Sequence, residues 1–486
     1  MTSRRLANVT SAFGRALDAI DEQIRAQIKK IDTSPADHSA GADLLNGRPF
    51  VRSIAIAYSG GLDSSVLLHL AHRYAVIHGI TLYAFHIHHG LSPNANHWAV
   101  HCERECERLG IAFATRHITI TDRKKCGVEE AARIGRYAAL DALCAEHGVR
   151  LLLTAHHQDD QAETVLLHLL RGAGVGGLAG MRMVSAGHEL LDRADLFIGR
   201  PLLDIPRGEL NDWASCAGIA HIEDESNADM KYTRNALRQR AMPQLAAIFP
   251  GFQSRLERTA RHAQAAQRLL DGLAMQDISA CNTADGGLNI SSIRHLDTDR
   301  IDNLLRYWFG LHGMRLPSAA WLEEVRTQLF TARQDAQICI RHASHDVRRH
   351  RDRIFITPKK PEHVQGGLPA KMQWNGESSI RCAEYAGTLF FDAVENGIDA
   401  DWLRGRDLTI RYRNGGEQLK LAPNRPARRL KHHYQDFDIP AWEREGLPLV
   451  FAGDDLLYAT GIGMDCRHLI DGPGSRIRLR WQPDHI

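Results

Sequence analysis

Ile54-Ala55-Ile56-Ala57-Tyr58-Ser59-Gly60-Gly61-Leu62-Asp63-Ser64-Ser65 is the stretch on which the fold turns. The apolar run from Ile54 to Tyr58 reads as a short buried strand, and a helical pattern from Ser64 to His78 follows it. Two glycines at such a junction let the backbone turn tightly and approach a ligand with no Cβ in the way. Backbone N–H groups then point out of the helix start, where the macrodipole favours an anion. Ser59, Gly60, Gly61, Leu62, Asp63 and Ser64 therefore form a candidate phosphate cradle. Asp63 is the odd member, because a carboxylate repels a phosphate unless a cation or an amine stands between them. It reads as a ligand of Mg²⁺ or of lysine. An ordinary capped strand–helix turn is the plain alternative. The junction lacks the Gly-Lys-Ser/Thr of a Walker A loop and the G-x-G-x-x-G of a dinucleotide fold.

Outward from this loop, apolar runs and helical stretches alternate. Strands are expected at Thr81–His86, Ile111–Thr115 and Leu151–Thr154, and helices at Ala99–Gly110 and Glu129–His147. Such alternation implies βαβ units, an α/β domain with a doubly wound, mostly parallel sheet, placed here over residues 47–235. Residues 1–46 form an N-terminal extension. Its Phe13, Leu17, Ile20, Ile24 and Ile28 have helical spacing, expected to pack on the next domain, and Ser34, Pro35, Ser39 and Gly41 mark a flexible connection. After about residue 231 the strands are expected to vanish, with helical stretches over 231–275 and 298–335 forming a helical middle domain (236–370). Gly366, Gly367 and Pro369 mark a boundary. Residues 400–480 read as a small mixed α+β C-terminal domain with β-like runs at Leu408–Arg413 and Leu447–Phe451.

Composition narrows the field. With 60 Lys+Arg against 58 Asp+Glu the net charge is +2, so a basic surface must come from local clustering. Nine cysteines without a C-x-x-C pair read as reduced thiols, and Cys102 and Cys106, one helical turn apart, as structural. No apolar stretch approaches the roughly 18 residues of a membrane span. Arg4 and Arg5 precede no apolar signal core, and Asp18, Asp21 and Glu22 argue against a transit peptide, so a cytoplasmic location without a membrane partner is expected.

Further motifs follow in order. His86-Ile87-His88-His89-Gly90-Leu91-Ser92 closes the second strand, where strand ends of a doubly wound sheet converge on the ligand crevice. For His86 a place in a run of surface histidines is the reading preferred. Arg133 and Arg136 share a helix face and suit phosphate or carboxylate contact. In Ala155-His156-His157-Gln158-Asp159-Asp160-Gln161-Ala162-Glu163-Thr164, the groups His156, Asp159, Asp160 and Glu163 crowd one helix start. Such a cluster can hold Mg²⁺, bind an ammonium group or accept a proton, whereas a capping box explains only one Asp and one Glu. Arg234 and Arg238, four apart, share one helix face, and their guanidinium forks suit phosphate groups. From Arg404 to His433 nine Lys/Arg face only Asp407 and Glu417. Arg411, Arg413, Arg428, Arg429 and Lys431, mixed with Tyr412, Tyr434 and Trp442, suit RNA backbone neutralisation with some stacking.

Ser59–Ser64, His89-Gly90-Leu91, the helix from Glu129 through Arg133 to Arg136-Tyr137, and A-H-H-x-x-D-x-x-E-T at 155–164 resemble the lysidine synthetase family of PP-loop ATP pyrophosphatases. So do Arg200-Pro201-Leu202-Leu203 and Asp224-Glu225-Ser226-Asn227 with Arg234-Asn235-Ala236-Leu237-Arg238. His88 stands where that family usually has Asp or Asn. The resemblance covers residues 50–245 strongly and 400–470 moderately. It implies ATP as co-substrate with Mg²⁺, free L-lysine, and an isoleucine tRNA with a CAU anticodon. The wobble cytosine O2 would attack the α-phosphate of ATP and release pyrophosphate, and the lysine ε-amine would then displace AMP at C2. The loop would cradle ATP, while Asp63, His156, Asp159, Asp160 and Glu163 would bind lysine or metal or manage protons. Arg133, Arg136, Arg234 and Arg238 would meet phosphate or tRNA. A PP-loop tRNA thiolase, which generally needs reactive cysteines, is the first rival. A glutamine-dependent amide synthetase and a tRNA binder with a dead loop are the others.

Overall fold

The computed structural model describes residues 2–32, 52–90, 92–119, 128–186, 193, 195–223, 230–231, 233–314, 318–333, 338–359 and 369–484. Ser34, Pro35, Ser39, Gly41, Leu91, Asp224 to Asn227, Gly366 and Gly367 lie outside them. The chain divides into two compact units, Met1–Ala280 with Leu296–Pro317 and Cys281–His295 with Ser318–Ile486.

The first unit is built on a six-stranded sheet. Its strands are β1 (Ser53–Ala57), β2 (Thr81–His88), β3 (Ala112–His117), β4 (Leu151–Leu153), β5 (Val184–Ala186) and β6 (Phe197–Gly199). Their order is β3-β2-β1-β4-β6-β5, and all neighbours run parallel except β5 with β6. Strand β1 is apolar without alternation because both its faces are covered. Ile54 and Ile56 enter one layer with Leu67, Leu70, Leu151, Leu153 and Trp213, and Ala55 enters the other with Phe85, Tyr137, Leu140, Leu152 and Ile198. Helices α2 (Leu62–His78), α3 (Ala95–Leu109), α4 (Val128–Glu146), α5 (Gln158–Leu170) and α6 (Arg207–Ala217) supply the covering surfaces.

The N-terminal helix, α1 (Thr2–Asp32), belongs to the first of these layers. Its Val9, Phe13, Leu17, Ile20 and Ile24 are buried there at spacings of three and four, as the periodicity anticipates. The chain runs from β1 outward through β2 and β3, then crosses back to β4 on the other side of β1. That reversal opens a crevice at the carboxyl ends of β1 and β4.

Beyond the sheet, Thr233–Ala236 continues through a π-helical turn, Leu237–Ala241, into Met242–Ile248, and the helices Phe252–Cys281 and Thr298–Leu311 follow. Helices thus dominate after residue 231, but strands do not vanish. The second unit contains a sheet ordered β7-β10-β9-β8, made of β7 (Leu288–Asn289), β8 (Cys339–Arg341), β9 (His345–His350) and β10 (Arg353–Pro358). Its segments His-Asp-Val-Arg-Arg-His and Arg-Ile-Phe-Ile-Thr-Pro are short, charged and only partly buried, so no apolar run announces them. The β-like runs near the C-terminus fall on β11 (Asp407–Arg411) and β12 (Leu449–Ala452). These pair antiparallel, Leu408 opposite Ala452 and Ile410 opposite Val450. Among the described residues no helix is long and apolar enough to cross a membrane.

Candidate active site

The loop after β1 is shaped by contacts that tolerate no side chain. Gly60 has φ +83°, and a Cβ there would lie 2.7 Å from Ile222 Cδ1 and 2.8 Å from Cys102 Sγ. The Ile222 N–H donates to the Gly60 carbonyl at 2.9 Å, which fastens the loop to a distant segment. Ser64 Oγ donates to the Gly61 carbonyl (2.9 Å) and lies 3.0 Å from Ser59 Oγ, while Ser65 Oγ donates to the Gly60 carbonyl (3.2 Å). The hydroxyls therefore brace the loop. Gly61 starts α2 with no side-chain cap, which leaves N–H groups of the first turn open to an anion. His86 is not the surface histidine expected: it is buried, because it stands on a covered strand, with Nδ1 2.9 Å from the Tyr58 carbonyl, and burial lowers its pKa. His88 instead stacks on His117 at 4.2 Å and meets Asn96 at 3.0 Å.

Strand β4 delivers the second half of the site. His157, 2% exposed, caps α5: its Nδ1 accepts from the Asp160 N–H (3.3 Å) and its own N–H donates to Asp160 Oδ2 (3.1 Å). This is a capping box with an imidazole in the usual hydroxyl's place. An accepting Nδ1 leaves the proton on Nε2, which lies 3.4 Å from Asp160 Oδ2 and 3.6 Å from Asp63 Oδ2. Burial alone would lower the His157 pKa, but Asp63, Asp160 and Asp159 outweigh it and raise the value. The loop carboxylate and the start of α5 thus meet through one histidine.

Around that contact the carboxylates are held differently. Asp63 Oδ1 is a buried oxygen with no hydrogen-bond partner, 3.6 Å from Arg207 Nε. Asp159 accepts the Arg207 backbone N–H (2.9 Å) and the Gln253 amide (3.4 Å). Asp160 Oδ1 accepts from Arg234 (3.2 Å) and Arg238 (3.0 Å). Glu163, 1% exposed, accepts from Arg234 Nε (2.8 Å) and from Arg238 Nε (2.5 Å) and Nη2 (2.9 Å). Burial would raise the Asp160 pKa, but His157, His156, Arg234 and Arg238 together hold it low, and Asp160 stays ionised. The two arginines flank or begin the π-helical turn, a local widening that often marks a working site.

His156 lies beside this network with Nδ1 2.9 Å from Thr154 Oγ1. Burial, reinforced by Arg200, Arg234 and Arg136 against Asp160, pushes its pKa down to about 3. It is therefore a neutral hydrogen-bonding group. Burial and the nearby Arg133 and Arg234 also lower the Arg136 pKa. Arg133 pairs with Glu130 at 3.0 Å on the exposed face of α4. Among the described residues no group of three or more His, Cys, Asp or Glu is arranged to hold a metal.

The structure thus brings together the loop, Asp63, Asp159, Asp160, Glu163, Arg234 and Arg238, with His156 alongside, and keeps Arg133 on a surface pair. His157, quoted in the motif but given no role of its own, and Arg207, which motif reading passed over, also stand at this contact. The capping offset from His157 to Asp160 was legible in the sequence, whereas Arg207, directly after Pro206, carries no periodic or motif signal.

In the second unit, Arg411 lies over the Phe451 ring at 4.0 Å and 3.5 Å from Glu417, and Arg428 pairs with Asp436 at 2.7 Å. Arg429 and Lys431 are exposed and Arg413 half-buried. Tyr434 is fully buried and Tyr412 packs 4.8 Å from Tyr385, so Tyr434 belongs to the core and offers no face to a base. Cys102 and Cys106 are fully buried, and burial pushes both thiols up to about 12.

A parallel sheet whose first strand feeds a glycine turn into a helix start, opposed by ionised groups at the next strand end, defines an ATP-using PP-loop domain. Residues 37–245 match the family model of the PP-loop domain. Residues 288–355 match the TilS substrate binding domain and residues 408–481 the TilS substrate C-terminal domain. A tRNA(Ile)-lysidine synthase of Ralstonia nicotianae is 40% identical over 445 residues, 89% of this chain and 93% of its own length. One from Burkholderia pseudomallei is 38% identical over 474 residues, 91% and 96% of the two chains. The chain belongs to the tRNA(Ile)-lysidine synthase family.

Proposed function

We propose that the protein joins free L-lysine to C2 of the wobble cytidine of an isoleucine tRNA with a CAU anticodon, using ATP. The observation that carries this reading is the meeting of Asp63 with His157 and Asp160 at adjoining strand ends, in a chain related to that family over most of its length. Open N–H groups of the loop hold the ATP phosphates. The cytosine O2 attacks the α-phosphate, the α–β anhydride bond breaks, and pyrophosphate leaves. The lysine ε-amine then adds at C2 and AMP departs. That amine must lose its proton before it attacks, and Asp63, whose Oδ1 lacks a hydrogen bond, is the acceptor nearest the loop. In the alternative role the same oxygen, a hard donor, would instead hold Mg²⁺ together with substrate phosphates, and the ion would neutralise their charge.

Glu163, Asp160, Arg234 and Arg238 keep the site preorganised, so that little reorganisation accompanies reaction. Neutral His156 offers a hydrogen bond beside it. Arg133 and Arg136 are proposed contacts for phosphate or tRNA. Arg411, Arg413, Arg428, Arg429 and Lys431 are proposed contacts for the tRNA backbone. Thiolation is disfavoured because Cys102 and Cys106 are sealed in the core with their thiols held protonated.

Incorporation of radiolabelled lysine into an isoleucine tRNA transcript with a CAU anticodon, with ATP and Mg²⁺, tests the proposal. Label should appear with the wild-type chain and vanish with Asp63→Ala. Folded wild-type protein that transfers no label would sink the reading in favour of thiolation or plain tRNA binding.

A further inference from the structure

Asp63 poses a problem for any polyphosphate site, since its charge opposes that of the ligand the loop is shaped to take. We infer that Arg207 is a cation that relieves it beside any Mg²⁺ held there, a substrate-phosphate contact set in place by Asp159 through the backbone. The inference rests on the loop of residues 59–64 binding ATP; it adds Arg207 to that site and gives Asp159 a positioning role there.

Arg207 Nε lies 3.6 Å from Asp63 Oδ1, an ion pair too long for a hydrogen bond, and its side chain is 44% exposed. A guanidinium so placed neutralises Asp63 while ATP is absent and can turn to an entering phosphate without breaking a formed hydrogen bond. Three neighbouring arginines are committed elsewhere. Arg234 and Arg238 are forked onto Asp160 and Glu163, and Arg200 is buried, donating to the Arg182 carbonyl (2.8 Å) and Ser185 Oγ (3.0 Å).

Asp159 explains how Arg207 comes to be there. It occupies an unspecified position of the A-H-H-x-x-D-x-x-E-T pattern, yet its Oδ2 accepts the Arg207 backbone N–H at 2.9 Å. Pro206, the residue before α6, supplies no side-chain cap, so Asp159 caps that helix from a separate segment. Two further hydrogen bonds stiffen the join, from the Gln158 N–H to the Ile205 carbonyl (3.1 Å) and from Gln253 to Asp159 Oδ1 (3.4 Å). Both oxygens of Asp159 are therefore occupied by protein. It is a positioning residue, and Arg207 is the one that touches substrate.

Calorimetric binding of a non-hydrolysable ATP analogue to the full chain, with the thermal midpoint alongside, tests this. Arg207→Ala should weaken affinity about 10- to 100-fold, the span expected for a charge-assisted hydrogen bond, and barely move the midpoint. Asp159→Ala should weaken it in the same direction, and the Asp159→Ala/Arg207→Ala pair should be no weaker than Arg207→Ala alone. Asp159→Asn, whose amide oxygen still accepts the Arg207 N–H, should bind close to wild type.

Wild-type affinity in Arg207→Ala, additive losses in the pair, or equal losses in Asp159→Asn and Asp159→Ala would each overturn the inference. So would an Asp159→Ala chain that melts early but binds the analogue normally, because that describes a plain helix cap. Binding is read without tRNA or lysine. A wild-type chain that binds the analogue but transfers no lysine therefore sinks the proposed function, while the same affinities still decide the role of Arg207.

Discussion

Residues 159–163 and residues 428–436 are both charged stretches, and the first keeps its ion pairs under cover while the second leaves its Arg428–Asp436 pair in water. Glu163 is 1% exposed between Arg234 and Arg238, whereas in the Arg428–Asp436 pair the two side chains are 43% and 54% exposed. The chemistry of the pairs is the same and the surroundings are not. Removing one member of a covered network strands the opposite charges in a poorly solvated place, while removing one member of an open pair returns its partner to water.

The largest effect follows at Glu163. Glu163→Ala should lower unfolding free energy by about 3–5 kcal/mol, measured by denaturant titration. A loss below about 1 kcal/mol would put the network in the class of surface pairs and erase the contrast.

Next comes pH, where two adjacent histidines should act with opposite sign. His156 has its folded pKa pushed from 6.5 to about 3, so the unfolded chain takes the proton first as pH falls. Its contribution is present above pH 6.5 and is lost between there and about 3. His157 has its folded pKa raised, so its contribution is complete below 6.5 and is lost as pH rises through the raised value. Stability measured against pH should flatten on the acid side in His156→Gln and on the alkaline side in His157→Gln. Identical profiles for the two variants would break that assignment.

The smallest effect belongs to the open region. Arg428→Ala should change stability by no more than about 1 kcal/mol. If Arg428 meets tRNA, the salt dependence of tRNA binding should fall by about one unit of slope. An unchanged slope would show that its charge serves only Asp436.

Sequence reading reached the sheet-and-helix alternation through Leu153, because both-face burial writes itself as apolar runs and α-helical burial as 3.6-residue spacing. It did not mark β5 and β6, whose three residues apiece are too few to show a period. The sheet of β8 to β10 was hidden by its arginines and histidines, since few apolar side chains, such as Ile340, Val347 and Ile354, reach the core and charged Asp346 and Arg349 are buried beside them. Motif spacing found the carboxylates at one helix start, but not which partners they would take. Arg234 and Arg238 look equally apt for phosphate or for Glu163 until the chain is folded. Tyr434 misled by its basic neighbours, although Leu430, one helical turn earlier, shares its buried face.

One bond also orders events in time. The hydrogen bond from Ile222 to Gly60 makes the loop's shape depend on a residue that leaves the ribosome long after the loop itself, on the order of ten seconds later at ordinary rates of synthesis. Until then Gly60 has neither the carbonyl partner nor the Ile222 side chain that presses on it. A nascent chain therefore carries the loop's residues without this brace until the far segment arrives.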